Sequence, residues 1–318
     1  MLIYGDSNDR FLAAAAATAY GLELVHPSPL KGSCSEVWTN SRNVSWRGTP
    51  CPVYAGPDPQ RPILVIGVAI LAGTVLFADS GGINSPFVRG AFASQYTNTT
   101  RPAIRALRDF MDWNNDRPPD LLMMHSSLRD IYRLCRMTAP EADEAAAGNM
   151  LSTRPMLSPL EIDGYAANLG KLTRTLSTEV ARNGRKGSHS VVHAGGSKHA
   201  TRDTPETNTI IALHTLPKLD NTQGLHNHCL NRPAVVNGLV TQINELTRAF
   251  AASAGLPCFS WDAWLANMPA QMYMRPIHGG PHLVDGVLVE LFRAMMRIMA
   301  PWIRSTPSHM ALNASSKS

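Results

Sequence analysis

Residues 1–20 read MLIYGDSNDRFLAAAAATAY, and this stretch decides the class of fold. Met1 to Tyr4 form an apolar run, as in a strand that is buried on both faces. Gly5 to Asn8 supply the small and polar residues of a tight turn, and the alanine-rich segment from Asp9 to Tyr20 predicts a helix. The chain therefore opens with a strand, a turn and a helix, the unit from which parallel α/β sheets are built.

The rest of the chain continues this alternation. Strands that alternate with helices of similar length favour one parallel sheet covered by helices on both faces, in three α/β/α layers. The predicted strands are a pair within 63–77, then 120–124, 209–213 and 257–261, and the predicted helices are 100–113, 160–180, 235–254 and 283–303.

We expect a single domain over residues 1–304, with loop insertions. Residues 26–62 are rich in Pro, Gly, Ser and Trp, which predicts an insertion loop or short-stranded insertion rather than a helix. Residues 183–207 lose the hydrophobic pattern and predict a disordered loop, and residues 305–318 predict a flexible tail.

Composition excludes several classes of protein. The chain has 318 residues with 44% hydrophobic content, enough to bury a large core. The net charge of +5 comes from scattered Lys and Arg without a basic and aromatic stripe, so we expect no nucleic-acid partner. The apolar run from Ile63 to Ala78 is shorter than the roughly 20 residues that span a bilayer, and Gly67 and Gly73 interrupt it, so no membrane span is expected.

Cysteine and leader patterns favour a cytoplasmic location. The five cysteines have no CxxC spacing and form no Cys/His cluster at metal-ligand intervals, so no metal site is expected. The odd count leaves at least one thiol unpaired; reduced thiols are favoured, and Cys34 with Cys51 or Cys229 with Cys258 could close loops in an oxidising compartment. No cationic segment followed by an apolar stretch precedes Tyr4, which argues against a cleaved signal peptide.

Ser7 follows directly on the first predicted strand. In open parallel sheets, reacting groups collect where strands end and helices begin, because helix N-termini present unpaired N–H groups there. A serine in this position can attack a carbonyl, and its own N–H can stabilise the oxyanion that forms. Gly5-Asp6-Ser7 is equally typical of an ordinary turn or a helix N-cap.

Four short blocks occur in order along the chain: Gly5–Arg10, Asp120–Ile131, Ile210–Pro217 and Gly279–Leu283, the last followed by an apolar helix. Together they resemble the SGNH (GDSL-like) hydrolases, and the arginine three places after Ser7 resembles their PC-esterase branch in particular. The resemblance spans Ile3 to about Trp302, apart from the two predicted loops. It implies a flavodoxin-like parallel sheet.

The resemblance also implies a catalytic arrangement. Ser7 is the expected nucleophile, His282 the expected base, and Asp6 the residue that orients the turn. Arg10 and Asp130 are implied to bind the substrate.

The implied oxyanion hole combines the N–H of Ser7 with a donor after the 120–124 strand and a glycine N–H. His125 stands where the family has Asn, and either its ring or the hydroxyl of Ser126 can donate a hydrogen bond. Gly82 and Gly90 are the two candidates for the glycine.

The last block departs from the family, because Gly279 stands where an Asp normally orients the histidine three residues later. The orienting group for His282 is then Asp285, Asp262 or a backbone carbonyl, or the centre is a Ser-His dyad. A register that places Asp285-Gly286-Val287 on the motif would leave Leu288 at the histidine position and no base.

The sequence thus predicts a serine esterase that cleaves an acyl ester of a sugar or another small alcohol, without a metal or an organic cofactor. Two alternatives remain open. The first is a catalytically degenerate relative that binds a ligand or protein partner, which the changes at Gly279 and His125 favour. The second is a polysaccharide O-acyltransferase that uses the same serine and histidine.

Overall fold

The computed structural model describes residues 1–5, 7–25, 53–56, 64–70, 100–114, 116–124, 156–187, 209–217, 233–266, 273–277, 280–283 and 285–304. Its strands are β1 (Leu2–Gly5), β2 (Glu23–Val25), β3 (Val53–Gly56), β4 (Leu64–Ile70), β5 (Leu121–Met124), β6 (Ile210–His214), β7 (Cys258–Phe259), β8 (Tyr273–Ile277) and β9 (Gly280–Leu283). Its helices are α1 (Ser7–Ala19), α2 (Thr100–Trp113), α3 (Pro159–Gly187), α4 (Pro233–Ala254), α5 (Trp261–Leu265) and α6 (Asp285–Arg304).

Seven strands form one mostly parallel sheet in the order β2-β3-β4-β1-β5-β6-β7. β1 pairs in parallel with both β4 and β5, and β6 and β7 continue the parallel part. Counted along the chain, the five parallel strands stand in the order 2-1-3-4-5, a doubly wound order. The predicted α/β class is therefore confirmed.

The sheet departs from the predicted parallel arrangement at one edge, where it is antiparallel. β2 and β3 run antiparallel, and β3 is also antiparallel to β4. Only the short connection 57–63 separates β3 from β4, and a short connection joins antiparallel strands, whereas parallel strands need a longer crossover. β4 therefore pairs with β3, the strand before it in the chain. Residues 71–77, the remainder of the predicted strand pair, lie outside the described residues.

Helices cover both faces of the sheet, which is compatible with three layers. On one face, α2, α3 and α4 pack on strand side chains that include Tyr4, Leu122 and Leu213. On the other face, α1, α5 and α6 pack on the alternate side chains, such as Ile3 and Met123. Because adjacent side chains of β1 and β5 enter opposite cores, these strands read as unbroken apolar runs.

Helix α3 starts at a capping box and extends further than predicted. The Ser158 hydroxyl donates to Glu161 Oε2 at 2.7 Å, the Ser158 N–H donates to the same oxygen, and Pro159 opens the helix. The helix continues to Gly187, so the prediction of a disordered loop from residue 183 was wrong for 183–187. Near this polar end, the Asn183 side-chain amide donates to the Glu179 carbonyl one turn earlier, at 3.1 Å. Residues 188–207 lie outside the described residues.

The C-terminal third holds two elements that the sequence did not predict. α5 begins directly after β7, and the antiparallel hairpin β8–β9 precedes α6. Helix α6 begins at Asp285, two residues after the predicted start, and it is preceded by β9 and one linking residue outside the described ones. His282 accordingly lies in a strand.

Candidate functional site

The strand order creates a crevice at the carboxyl ends of β1 and β5. From β1 the chain proceeds to β4, which lies on one side of β1, and then crosses to β5, which lies on the other side of β1. In doubly wound sheets the loops after two such strands diverge, and ligands bind in the crevice between them. The residues that follow β1 and β5 therefore border the position where this fold class binds ligands.

Ser7 borders this crevice as the first residue of α1, two positions after the last residue of β1. The N–H groups of the first helical turn have no partner within the helix and carry the positive end of its dipole. A nucleophile here stands next to donors that can stabilise negative charge. The sequence predicted a helix that begins at Asp9, but the helix begins two residues earlier, at Ser7.

Most of the other predicted site residues lie outside the described residues. These are Asp6, Gly82, Gly90, His125, Ser126 and Asp130. For Ser7, His282 and Asp285 the structure describes the backbone but not the side chains.

His282 lies in β9 of the C-terminal hairpin, opposite Met274 of β8. Strand β9 is a direct neighbour of α1, with Cα atoms of the two elements within 8 Å of each other. The fold thus brings the element that carries His282 beside the helix that begins with Ser7. Asp285 is the first residue of α6, three positions after His282.

Asp262, the other candidate to orient His282, lies in the first turn of α5 and has partners of its own. Its Oδ1 accepts a hydrogen bond from the Thr215 hydroxyl at 2.6 Å, and Arg248 Nη1 lies 3.0 Å from each carboxylate oxygen. Burial raises the pKa of Asp262, but the hydrogen bonds from Thr215 and Arg248 outweigh it, and the net pKa lies below its ordinary value.

Arg10 is half-buried on α1, with its guanidinium 5.3 Å from the centre of the Phe11 ring. Burial lowers the pKa of Arg10, which Tyr54 of β3 partly offsets. These neighbours belong to α1 and the antiparallel edge of the sheet. Binding of substrate by Arg10 stays a prediction.

The structure adds a buried contact between Asp9 and His214 that sequence reasoning missed. Asp9 Oδ1 lies 3.1 Å from His214 Nε2, and the two side chains are 0% and 2% exposed. Asp9 is in the first turn of α1, and His214 is the last residue of β6. A signal was present in the sequence, because His214 ends an otherwise apolar strand and Asp9 opens an alanine-rich helix, but nothing in the sequence linked the two residues.

Gly5 and Trp261 pack against the Asp9–His214 contact. A Cβ atom at position 5 would lie 2.8 Å from Asp9 Cβ and would overlap the Asp9 carboxyl group. The Trp261 ring lies 5.3 Å from the His214 ring, between centroids, and its side chain is buried. Its indole N–H has no acceptor among the residues that the structure describes.

Cys258 is a free thiol at the start of β7. Burial raises its pKa to about 11, so the group stays a thiol at neutral pH and is a poor nucleophile there. The other four cysteines lie outside the described residues.

Within the described ranges, no group of three or more His, Cys, Asp and Glu side chains has an arrangement that could hold a metal ion. None of the helices that the structure describes combines the length and apolar character needed to cross a bilayer.

No protein-family model matches this chain, and no curated protein matches it.

Proposed function

We propose that this chain is a serine-dependent hydrolase of acyl esters, with Ser7 as the nucleophile and His282 as the general base. The substrate class is an acyl ester of a sugar or another small alcohol, as the resemblance to PC-esterases implies. The observation that carries the proposal is the position of Ser7, the first residue of α1 at the carboxyl end of the central strand β1.

This position suits nucleophilic attack for two reasons. The crevice between the ends of β1 and β5 is where doubly wound proteins bind small ligands, so an ester bound there lies next to Ser7. The unpaired N–H groups at the start of α1 provide donors for the oxyanion of the tetrahedral intermediate.

We choose His282 as the base because its strand, β9, lies next to α1. The hairpin strand that carries His282 is a direct neighbour of α1, which supports a short path between the imidazole and the Ser7 hydroxyl. His214 is a poor alternative base, because it is 2% exposed and both of its ring nitrogens already face acceptor groups, Asp9 and the Thr215 carbonyl.

In the proposed reaction, Ser7 Oγ forms a bond to the ester carbonyl carbon while His282 takes the serine proton. The tetrahedral intermediate collapses, the bond to the alcohol oxygen breaks, and His282 returns the proton to the leaving alcohol. Water then attacks the acyl-serine by the same route and releases the carboxylic acid.

For the carboxylate that orients His282 we favour Asp285 over Asp262. The oxygens of Asp262 already accept hydrogen bonds from Thr215 and Arg248. Asp285 lies three residues from His282 at the start of α6, where the helix dipole stabilises a negative charge.

Hydrolysis of p-nitrophenyl acetate and butyrate by the purified protein tests this function. We expect Ser7→Ala and His282→Ala each to lower kcat/KM by about 10³-fold or more, and Asp285→Asn by about 10²- to 10⁴-fold. Asp262→Asn should lower it less than Asp285→Asn does.

The matched control is Ser253→Ala, which removes an exposed hydroxyl that donates only to the Phe250 carbonyl of its own helix. This variant should retain wild-type turnover. A folded wild-type protein whose turnover is absent, or equal in Ser7→Ala, would contradict the proposal and favour the ligand-binding alternative.

A further inference from the structure

We propose that the buried Asp9–His214 pair positions the first turn of α1, and with it Ser7, against the carboxyl edge of the sheet. In this role Asp9 and His214 are positioning residues that do not touch the substrate. The effect on catalysis rests on the proposed function of Ser7, whereas the effect on the turn does not.

The pair ties together two elements that are not neighbours in the sheet. β5 lies between β1 and β6 in the strand order, so His214 is about 10 Å from β1 across two strand spacings. The 3.1 Å contact with Asp9 therefore joins the start of α1 to β6 across the position of β5. It fixes the helix start relative to β6, while the adjacent Gly5 fixes it relative to β1.

The contact depends on both side chains. His214 Nδ1 lies 3.1 Å from the Thr215 carbonyl oxygen, which can only accept, so Nδ1 carries a hydrogen. Nε2 faces the Asp9 carboxyl group at 3.1 Å. Asp9→Ala removes the polar group that Nε2 faces, and His214→Leu takes the imidazole away from the buried Asp9 carboxyl group, so each change leaves a buried polar atom without this contact.

Gly5 shows that the geometry tolerates little displacement. The Asp9 side chain occupies the space that a Cβ at position 5 would need, so β1 ends in direct contact with the carboxyl group. Asp9 is two residues from Ser7 in the same helical turn, and a shift of Asp9 moves Ser7 with it.

Hydrogen exchange in the native protein measures the positioning without any assay of catalysis. In Asp9→Ala and in His214→Leu, amides of a peptide that covers residues 4–12 should exchange about tenfold faster or more than in the wild type, because local opening of the turn becomes easier. A peptide within α3, residues 165–180, should keep its wild-type rate and reports on the rest of the fold.

The rate of covalent labelling by a fluorophosphonate probe measures the consequence for Ser7. We expect Asp9→Ala and His214→Leu to slow labelling by about 10- to 100-fold. The double variant Asp9→Asn/His214→Gln places an amide donor opposite an amide acceptor without charge, and it should recover most of the wild-type rate.

The matched control is Glu179→Gln, which disrupts another buried carboxylate with a cationic partner, Arg108, on the opposite face of the sheet. It should leave both readouts at 4–12 and Ser7 unchanged. Wild-type exchange at 4–12 in Asp9→Ala and His214→Leu would overturn the proposal. If the wild type is not labelled at all, the function of Ser7 fails while the exchange experiment still decides the role of the pair.

Discussion

Gly5 is the residue at which the end of β1 and the start of α1 constrain each other most tightly. The Asp9 carboxyl group lies where a Cβ at position 5 would be, and it also contacts His214. Neither Asp9 nor the backbone of β1 can move away without loss of a buried interaction. Glycine is required here for close approach, not for an unusual backbone angle.

We therefore expect Gly5→Ala to lower the free energy of unfolding by about 1 to 3 kcal/mol, as overpacking of a rigid core does. Urea denaturation measures this change. Gly164→Ala is the matched control, since its Cβ would meet nothing within 4 Å in the interior of α3, and alanine there should raise stability by about 0.5 to 1 kcal/mol. Equal stability of Gly5→Ala and the wild type would contradict the packing described for Asp9.

At the scale of single residues, the sequence predicted the position of Ser7 but not the contact between Asp9 and His214. The position of Ser7 at a strand-to-helix junction follows from local pattern alone, because adjacent residues determine it. The contact between Asp9 and His214 depends on the order of strands, since the residues are far apart in the chain. Sequence periodicity carries no information on such a contact.

At the scale of elements, a polar cluster fixes the segment that follows β6. The Asn244 side chain of α4 accepts from the Leu216 N–H at 2.7 Å and donates to the Leu216 carbonyl at 2.8 Å. The Thr215 hydroxyl donates to Asp262 of α5, and the Asp262 N–H donates back to it at 3.1 Å. Two helices thereby hold the backbone just beyond His214.

This cluster predicts a loss of stability in acid. The pKa of Asp262 is below its ordinary value in the folded protein, so the carboxylate contributes stability that is fully present above the unfolded pKa of about 3.9 and is lost as pH falls through the folded pKa. Urea denaturation of the wild type and Asp262→Asn between pH 6 and pH 3 measures this contribution. The stability difference between the two proteins should shrink as the pH falls; a difference that stays constant or grows would contradict the assignment.

The elements that sequence pattern predicted are those whose burial is uniform. β1, β5 and β6 are buried throughout and show mainly apolar runs, and helices α2, α3 and α4 bury one face in a single core and show a helical period. Strands β8 and β9 each contain a proline and show no apolar run, and β2 has only three residues. Their pairing with neighbouring strands, and not a local preference, defines them.

At the scale of the whole molecule, the strand order determines where chemistry can take place. The crossover from β4 to β5 over β1 opens the crevice that Ser7 borders, and the C-terminal hairpin brings its strand β9 beside α1. The alternation of strands and helices predicted the class of fold, because it is a property of the chain. The sheet order and the antiparallel edge required the tertiary structure.

The most direct measurement for the central claim is the site of covalent labelling by a fluorophosphonate probe. The native protein is treated with the probe and digested, and the modified residue is located by mass spectrometry, with Ser7→Ala and Ser253→Ala in parallel. The account predicts one modified residue, Ser7, with labelling lost in Ser7→Ala and unchanged in Ser253→Ala. Labelling at another residue, or an unlabelled Ser7 in the folded wild type, would contradict it.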